Sequence, residues 1–263
     1  MIETTPMTNK QHIKNDDTTF CKPHATLKIK IMSTIMWLIM GGLIPFYCLV
    51  VYGLFFLDNN TKHKFLITWP KLFTFLCKYL CGVNYTVIGM ENIPKVPVIF
   101  ASNHQSTWET MAFSVFLPKH IYILKRELIR IPLFGWALSS TSPIAINRED
   151  KRSAVMQILE QAIIRIKDGF SIMVFPEGTR LPPGAKENYK TGVARVAINL
   201  NLPVVPIAHN SGHIMPRSSF YLYPGTVTII ISKPIYPDHD TAEEFTEKIR
   251  STIYNELREM GEL

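Results

Sequence analysis

The pattern of apolar and polar positions divides the chain into three regions. Residues 1–25 are polar and show no periodicity, which predicts a flexible tail because such a segment buries too little apolar surface to fold. Residues 26–83 carry long apolar stretches and form a predicted membrane-anchoring region of helices. Residues 84–263 alternate short apolar runs with amphipathic stretches, which predicts an α/β domain with a central, mostly parallel sheet flanked by helices.

The anchoring region begins with an apolar run from Ile31 to Leu57 that contains no charged residue. As one helix this run would be roughly 40 Å long, whereas the hydrocarbon core of a bilayer is about 30 Å thick. Lysines flank both ends, so the positive-inside rule gives no orientation. These symmetric charges, with Gly41, Gly42 and Pro45 at the centre, favour a hairpin that dips into one leaflet over one tilted spanning helix. Residues 64–80 mix aromatic residues with lysines, which predicts a helix lying in the membrane interface.

The third region contains elements that follow from local patterns. The helix at 153–167 is the clearest, because its apolar residues recur at helical spacing and Gly169 ends it. Further helices are predicted at 107–116, 192–199 and 242–257. Strands are predicted at 84–88, 96–101, 121–124, 144–146, 170–175, 204–208 and 227–232.

Composition and charge narrow the class of protein. Hydrophobic residues make up 47% of the chain and charged residues 19%, which excludes a disordered, collagen-like or coiled-coil chain. Lysines and arginines outnumber acidic residues by 28 to 21, and this balance favours anionic partners such as lipid surfaces or phosphorylated substrates. Nucleic acid is not expected, because long basic runs and aromatic residues interleaved with arginines are missing. The four cysteines have no zinc-site spacing, which favours reduced thiols.

The first candidate for chemistry is the segment Asn103-His-Gln-Ser-Thr-Trp-Glu109, placed directly after a predicted strand. His104 and Glu109 would lie roughly 140° apart on one helix, so they meet only if His104 is in the loop and Glu109 in the first helical turn. Ser106 and Glu109 form a capping-box pattern that supports this boundary. A histidine oriented by a carboxylate is a general base for acyl transfer to a substrate hydroxyl. The alternative is that Glu109 only caps the helix.

The second candidate is Phe175-Pro-Glu-Gly-Thr-Arg180, which follows another predicted strand. Loops at the carboxyl ends of strands in α/β sheets are where ligands bind. Gly178 lets the backbone approach a ligand, Thr179 offers a hydroxyl and Arg180 can bind a phosphate through two N–H groups. As an isolated turn the segment would be unremarkable.

Together, these two segments resemble the glycerolipid acyltransferase family, specifically the bacterial 1-acylglycerol-3-phosphate acyltransferases. The resemblance extends from about Leu66 to the end of the chain. Two further segments carry it: Leu124-Lys-Arg-Glu-Leu128 with Ile131-Pro-Leu-Phe-Gly135, and Leu202-Pro-Val-Val-Pro-Ile-Ala208. The four segments are specific as a set, and no single one of them is.

The resemblance implies a role for each matching residue. His104 would take the proton from the glycerol 2-hydroxyl while Glu109 holds it; the family more often has aspartate at this place. Pro206 would lie on the acyl-donor side, and Lys190 could add charge near the phosphate. The substrate phosphate would be bound by Lys125, Glu177, Gly178, Thr179 and Arg180.

The resemblance also implies partners and a location. The partners would be membrane lipid, lysophosphatidic acid and a donor that is either acyl-CoA or an acyl carrier protein thioester. A thioester is already activated, so base catalysis and positioning could suffice without a metal or a resident cofactor. The expected location is a bacterial inner membrane, with the site facing the cytoplasm.

Other readings remain open from the sequence. His104, Glu109, His209 and His213 could form a metal-dependent hydrolase site, although residues 210–212 are a poor helix for the His209–His213 spacing. A serine hydrolase lacks its G-x-S-x-G segment. A membrane-anchored lipid-binding module would need no His104, and an acyltransferase could act on a different lysophospholipid or lipid acceptor.

Overall fold

The structure, a computed structural model, describes residues 23–54, 56–132, 134–140, 143–146 and 151–263. Nearly all of the predicted N-terminal tail lies outside these residues. The chain begins with three helices: α1 at Leu27–Gly53, α2 at Asn59–Leu66 and α3 at Thr68–Cys81. The α/β region follows, and its first strand begins at Val83.

Helix α1 is continuous from Leu27 to Gly53, so the predicted reversal at its centre is wrong. Two glycines and Pro45 permit a reversal without forcing one, because the fixed φ of proline suits a helix and only one backbone hydrogen bond is lost. By length and composition, α1 is the one helix among the described residues that could cross a membrane, and 22% of its most apolar window is buried. The fold therefore contains the predicted N-terminal apolar helix in a single piece.

The predicted interfacial helix at 64–80 is two helices, and α3 has a buried face. Met36 of α1 packs on Phe73 and Cys77 of α3, and the Cys77 sulfur lies 3.8 Å from the Met36 sulfur. Helix α1 also contacts the α/β region, because Trp37 Nε1 donates a hydrogen bond of 2.8 Å to the Phe220 carbonyl. The helices at the start of the chain are thus joined to the rest of the fold.

One seven-stranded sheet forms the centre of the α/β region, in the order β1-β7-β6-β2-β5-β3-β4. All neighbouring strands are parallel except β6 and β7. The strands are β1 Val83–Ile88, β2 Ile99–Ser102, β3 His120–Lys125, β4 Ile144–Ile146, β5 Ser171–Val174, β6 Val204–His209 and β7 Gly225–Ile231. The predicted class, a mostly parallel sheet flanked by helices, is confirmed.

Helices cover both faces of the sheet. On one face, α3 and α4 pack through large apolar side chains such as Phe73, Trp108 and Phe113. On the other face, α6, α7 and α8 pack on alternate strand residues such as Ile99 and Ile172. The remaining helices are α4 Trp108–Phe116, α5 Phe134–Ser140, α6 Lys151–Lys167, α7 Gly192–Leu200 and α8 Ala242–Glu259.

The predicted elements match these bounds within a few residues, with two differences. Strand β2 begins at Ile99 and not at residue 96, because Pro97 cannot donate to a ladder and Val96 is exposed. Helix α5 was not predicted, since a helix of seven residues shows too little periodicity. Because β2, β3, β5 and β6 are mutually parallel, the loops after them meet at one edge of the sheet.

Candidate active site

His104 and Glu109 meet at the carboxyl edge of the sheet. Strand β2 ends at Ser102 and α4 begins at Trp108, so His104 lies in the loop and Glu109 in the first helical turn, as the spacing predicts. The Nδ1 atom of His104 lies 2.7 Å from Oε1 of Glu109. The His104 side chain is 16% exposed and that of Glu109 is fully buried. A buried carboxylate thus orients an imidazole that still reaches the surface.

The Glu109 carboxylate is held by several further donors. Its oxygens accept the backbone N–H groups of Gln105 at 3.0 Å and Ser106 at 2.9 Å. The Ser106 hydroxyl donates to Oε2 of Glu109 and accepts the Trp108 N–H at 3.0 Å. Glu109 therefore serves the helix start and His104 at once, so the capping and orienting interpretations describe the same side chain.

These contacts set the protonation of the pair. Burial would raise the pKa of Glu109, but hydrogen bonds from His104 and Ser106, with the nearby His209, hold the pKa at about 2. Because the ionised Glu109 can only accept, Nδ1 of His104 is the donor of this hydrogen bond, and in the neutral imidazole Nε2 then presents its lone pair. Among the described residues, nothing hydrogen-bonds to Nε2 of His104. The imidazole is arranged to accept a proton from a ligand.

The second predicted segment packs directly on His104. The rings of His104 and Phe175 stack with their centroids 4.0 Å apart. Glu177 Oε2 accepts the backbone N–H of His104 at 2.9 Å, and the His104 carbonyl accepts the Leu181 N–H at 2.8 Å. The loop after β5 therefore contacts the ring of His104, its backbone N–H and its carbonyl.

Glu177 occupies a different position from the one expected of a phosphate-binding residue. Its side chain is buried at 6% exposure against the backbone of His104. Burial, together with the charges of Glu109 and Glu187, raises its pKa to about 8, although the hydrogen bond from the His104 N–H opposes the shift. The carboxyl group is turned toward the backbone of His104 and is not presented to a ligand. The structure places Glu177 as a support for the His104 loop.

The raised pKa of Glu177 makes stability depend on pH. An unfolded chain loses this proton near the ordinary glutamate pKa of about 4.3, whereas the folded chain keeps it up to about 8. The folded state then binds more protons than the unfolded state between these values, so the free energy of unfolding falls as pH rises from 5 to 8. Glu177→Gln keeps the acceptor oxygen and cannot ionise. We expect its Tm relative to wild type to rise by roughly 5 °C between pH 5 and pH 8.

Thermal unfolding in detergent at both pH values measures this difference. Glu259→Gln, at an exposed position on α8, is the matched control and should show a constant Tm difference from wild type. A Tm difference for Glu177→Gln that does not change with pH would contradict the placement of Glu177.

The other predicted anion-binding residues lie around the same loop. Gly178 has φ of 72°, a left-handed conformation that favours glycine, and a Cβ there would collide with the Lys190 side chain. Lys190 is therefore brought to the loop, and its N–H donates to the Pro176 carbonyl at 3.0 Å. Thr179 is exposed, and the exposed Lys125 ends β3 at the same edge of the sheet.

Arg180 has an unusual environment within the part of the chain that the structure describes. Its Nε atom is buried and has no hydrogen-bond partner there. A buried guanidinium N–H without a partner is costly unless a ligand accepts it. Arg180 directly precedes Leu181, whose N–H binds the His104 carbonyl. Arg180 is thus a candidate anion-binding group next to His104.

Pro206 lies elsewhere than expected. It is buried within β6, in register with Ala101 of β2, and its carbonyl accepts the Ser232 N–H at 3.0 Å. Among described residues, it is not part of the cavity lining given below. Its predicted place on the acyl-donor side stays a prediction.

An apolar cavity of about 490 Å³ adjoins the site. Phe175, whose ring stacks on His104, is one of its lining residues, and Gly178 and Lys190 also line it. Its walls are mainly branched aliphatic side chains from the sheet and from α6 and α7, including Ile99, Ile123, Ile146, Val155, Ile158, Ile172, Val174, Val193 and Val196. The periodic apolar residues of α6 indicated a helix facing the core, and some of them face this cavity instead.

The contacts of the described histidines do not support the hypothesis of a metal-dependent hydrolase site. His209 turns its Nε2 to the Asn103 carbonyl at 2.8 Å, and His213 pairs with Glu262 at 2.7 Å. Within residues 23–54, 56–132, 134–140, 143–146 and 151–263, no cluster of three histidine, cysteine or acidic side chains could hold a metal ion. Of the four residues in that hypothesis, His104 and Glu109 therefore contact each other, whereas His209 and His213 bind other residues.

The chain is similar to known acyltransferases. An acyltransferase family model matches residues 84–210, which include both His104 and Arg180. A 1-acyl-sn-glycerol-3-phosphate acyltransferase of Pseudomonas aeruginosa is 37% identical over 192 residues, covering 73% of this chain and 75% of that protein. A chloroplastic relative of the same name from Brassica napus is 33% identical over 67% of this chain, which spans 55% of the relative's length.

A solved structure resembles the whole described fold. The crystal structure of the 1-acyl-sn-glycerophosphate acyltransferase PlsC from Thermotoga maritima superposes with a TM-score of 0.75 at 25% sequence identity. The match covers 90% of this chain and 98% of that one. The similarity therefore includes more than the two motif segments.

Proposed function

The chain belongs to the glycerolipid acyltransferase family, and we propose that it moves a fatty acyl group from an acyl thioester to the 2-hydroxyl of 1-acylglycerol-3-phosphate, giving phosphatidic acid. The observation that carries this proposal is the His104–Glu109 pair, whose Nδ1–Oε1 distance is 2.7 Å, beside a buried arginine N–H without a protein partner. The names of the relatives support the choice of acceptor. No metal or resident cofactor is needed for this chemistry.

The reaction uses His104 as base and then as acid. Nε2 takes the proton of the 2-hydroxyl while that oxygen attacks the thioester carbonyl carbon, forming a tetrahedral intermediate. Glu109 stabilises the imidazolium through the hydrogen bond from Nδ1. The intermediate then breaks its carbon–sulfur bond, and the leaving thiolate takes the proton from Nε2. The products are phosphatidic acid and a free thiol, and His104 returns to its starting state.

The acceptor is held by its phosphate. Arg180 offers the unpartnered Nε–H from inside the loop, while Lys125 and Lys190 present ammonium groups at the exposed rim. Thr179 adds a hydroxyl, and Gly178 lets the backbone approach the ligand. Charge-assisted hydrogen bonds are the strong ones for a phosphate dianion. Glu177 keeps the loop in place and does not contact the phosphate.

The apolar cavity would receive the acyl chain of the donor. Its volume of about 490 Å³ is in the usual range for ligand sites, and its aliphatic lining suits a hydrocarbon chain. Phe175 connects the cavity to the reacting centre, because it lines the cavity and its ring stacks on that of His104. An acyl group seated there would place its carbonyl near Nε2. The length of the cavity should then limit the length of the chain.

Filling the cavity should therefore change donor preference. Val155→Phe places a larger side chain in the α6 wall of the cavity. We expect turnover of palmitoyl-CoA to fall at least tenfold relative to turnover of decanoyl-CoA. The reason is that a difference of one methylene group is worth roughly 1–3 kcal/mol in such pockets. Ile163→Phe, on an exposed part of the same helix, is the matched control and should keep the wild-type ratio. Equal losses for both donors with Val155→Phe would contradict an acyl chain in this cavity.

We place the enzyme on a membrane surface. Helix α1 exposes large apolar side chains along its length, including Leu38 at 70% and Phe46 at 69%, and α3 adds Phe75 and Tyr79. Such a continuous apolar face favours a lipid environment over water. The bacterial relative and the cytosolic thioester pool support a bacterial inner membrane with the site facing the cytoplasm. The net charge of +7 suits an anionic donor, either CoA or an acidic carrier protein.

The direct test offers purified protein in detergent a set of acceptors and donors. Lysophosphatidic acid is compared with lysophosphatidylcholine and monoacylglycerol, and palmitoyl-CoA with palmitoyl-acyl carrier protein. The proposal predicts the highest kcat/KM for lysophosphatidic acid. Preference for another acceptor would assign the same chemistry to a different lipid, and tight lipid binding without turnover would indicate a non-enzymatic lipid-binding module.

A further inference from the structure

A buried serine from a distant part of the chain also binds the catalytic carboxylate. Ser211 begins the short 3-10 helix Ser211–His213 that follows β6, and its side chain is fully buried. Its hydroxyl donates to Oε2 of Glu109 at 2.7 Å. The Ser106 hydroxyl lies 3.0 Å away from it and binds the same Oε2 atom. Two hydroxyl groups from separate segments therefore converge on one carboxylate oxygen.

The two oxygens of Glu109 have different partners. Oε1 lies 2.7 Å from Nδ1 of His104, whereas Oε2 receives both hydroxyls. Oε1 also accepts the backbone N–H groups of Gln105 and Ser106, which fix the position of this oxygen. The two hydroxyls on Oε2 hold the second oxygen, and with both oxygens held the carboxylate keeps the plane in which Oε1 meets the imidazole. Ser211 thus influences His104 without touching it.

The segment that carries Ser211 is itself fixed to the catalytic loop. The Asn103 side chain bonds to both the N–H and the carbonyl of His209, at 3.0 and 2.9 Å. The Gly212 N–H donates to Gln105 Oε1 at 2.9 Å. These bonds lie on either side of Ser211 and are buried. They fix the position of the Ser211 hydroxyl relative to the Glu109 carboxylate more precisely than core packing alone would.

We propose that Ser211 is a positioning residue of the catalytic site: through its hydroxyl bond to Oε2 it fixes Glu109, and through Glu109 it fixes the orientation of His104. The kinetic part of this inference rests on the proposed function. Its spectroscopic part does not, because the His104–Glu109 hydrogen bond can be observed in a protein that turns nothing over.

Kinetics test the inference first. Ser211→Ala is expected to lower kcat by about 10- to 100-fold, the size of one lost hydrogen bond to a charged group, with the KM of each substrate unchanged. The matched control is Ser171→Ala, which should keep the wild-type kcat. Ser171 is a buried serine at the start of β5 whose hydroxyl accepts the Val98 N–H. Ser211→Thr, which keeps the hydroxyl, should recover most of the lost kcat. An unchanged kcat in Ser211→Ala would overturn the inference.

A double variant separates positioning from general damage. If Ser211 acts through Glu109, Ser211→Ala should cause no further loss in a Glu109→Gln background. The same 10- to 100-fold loss in that background would show that Ser211 acts by another route. Thermal unfolding of each variant checks that the fold is intact.

The imidazole signal provides the readout that is independent of turnover. In wild-type protein with labelled histidine, Nδ1–H of His104 should give a low-field proton resonance, assigned by its loss in His104→Ala. Ser211→Ala should shift or broaden this resonance, and Ser171→Ala should not. An unaltered resonance in Ser211→Ala would overturn the inference. If wild-type protein transferred no acyl group while the resonance still responded to Ser211, the proposed function would fail and the positioning role would stand.

Discussion

Replacing His104 with alanine is expected to lower kcat for acyl transfer by about 10²- to 10⁴-fold, the usual contribution of a general base. The reason is that Nε2 of His104 is the proton acceptor in the proposed mechanism, with Nδ1 held 2.7 Å from the ionised Glu109. Removal of the ring leaves the acceptor hydroxyl protonated when it meets the thioester. Substrate binding should change little, because in the proposed complex the phosphate and the acyl chain are bound by residues other than His104. The measurement is thiol release from palmitoyl-CoA with lysophosphatidic acid as acceptor.

A second histidine provides the control for this result. His239 is exposed in a loop with φ of 53°, a conformation that asparagine tolerates well. His239→Asn should therefore keep wild-type turnover. Equal turnover by His104→Ala and wild type would require a different base and would remove the basis of the mechanism.

The second large effect is expected from Arg180→Ala. Its buried Nε–H has no partner among the described residues, and in the proposed function a phosphate oxygen is its acceptor. Loss of a charge-assisted hydrogen bond should cost about 1.5–3 kcal/mol, which lowers kcat/KM for lysophosphatidic acid roughly 10- to 150-fold. Monoacylglycerol, which has no phosphate, should be used as slowly by the variant as by wild type. The measurement is kcat/KM for both acceptors.

Arg258→Ala is the matched control, since this arginine is exposed near the end of α8 and its guanidinium donates to Asn255 Oδ1, away from the site. It should leave both acceptors unaffected. A loss with Arg180→Ala that is the same for the two acceptors would mean that Arg180 supports the loop and does not recognise phosphate.

Local patterns were enough to predict the α/β region. Strands and helices between residues 84 and 263 each have their own apolar period, and a parallel sheet follows from their alternation. The continuity of α1 was not predictable in the same way, because Pro45 is compatible with a kink, a reversal or an ordinary helix. Packing of α1 on α3 and on the α/β region decides between these outcomes, and packing is not a local property.

The site was predictable to a similar extent. The pairing of His104 with Glu109 follows from their spacing across a loop and a helix start, and the structure shows the contact. Ser211 could not be found this way, because it reaches Glu109 only when β6 lies beside β2 in the sheet. Glu177 looked like a ligand in a strand-end loop, and only the folded chain shows that it is buried against His104. The apolar cavity was missed because its wall residues resemble core residues.

We propose that the acyl group passes directly from the thioester to a lipid hydroxyl, with one imidazole as the base. The most direct measurement incubates the wild-type protein with a lysophosphatidic acid of one acyl chain and a CoA thioester of another, and quantifies thiol and lipid products by mass spectrometry. We predict one phosphatidic acid per thiol released, with the new chain on the 2-hydroxyl. Thiol release with free fatty acid and no phosphatidic acid would contradict the claim, because water and not the lipid would then be the acceptor.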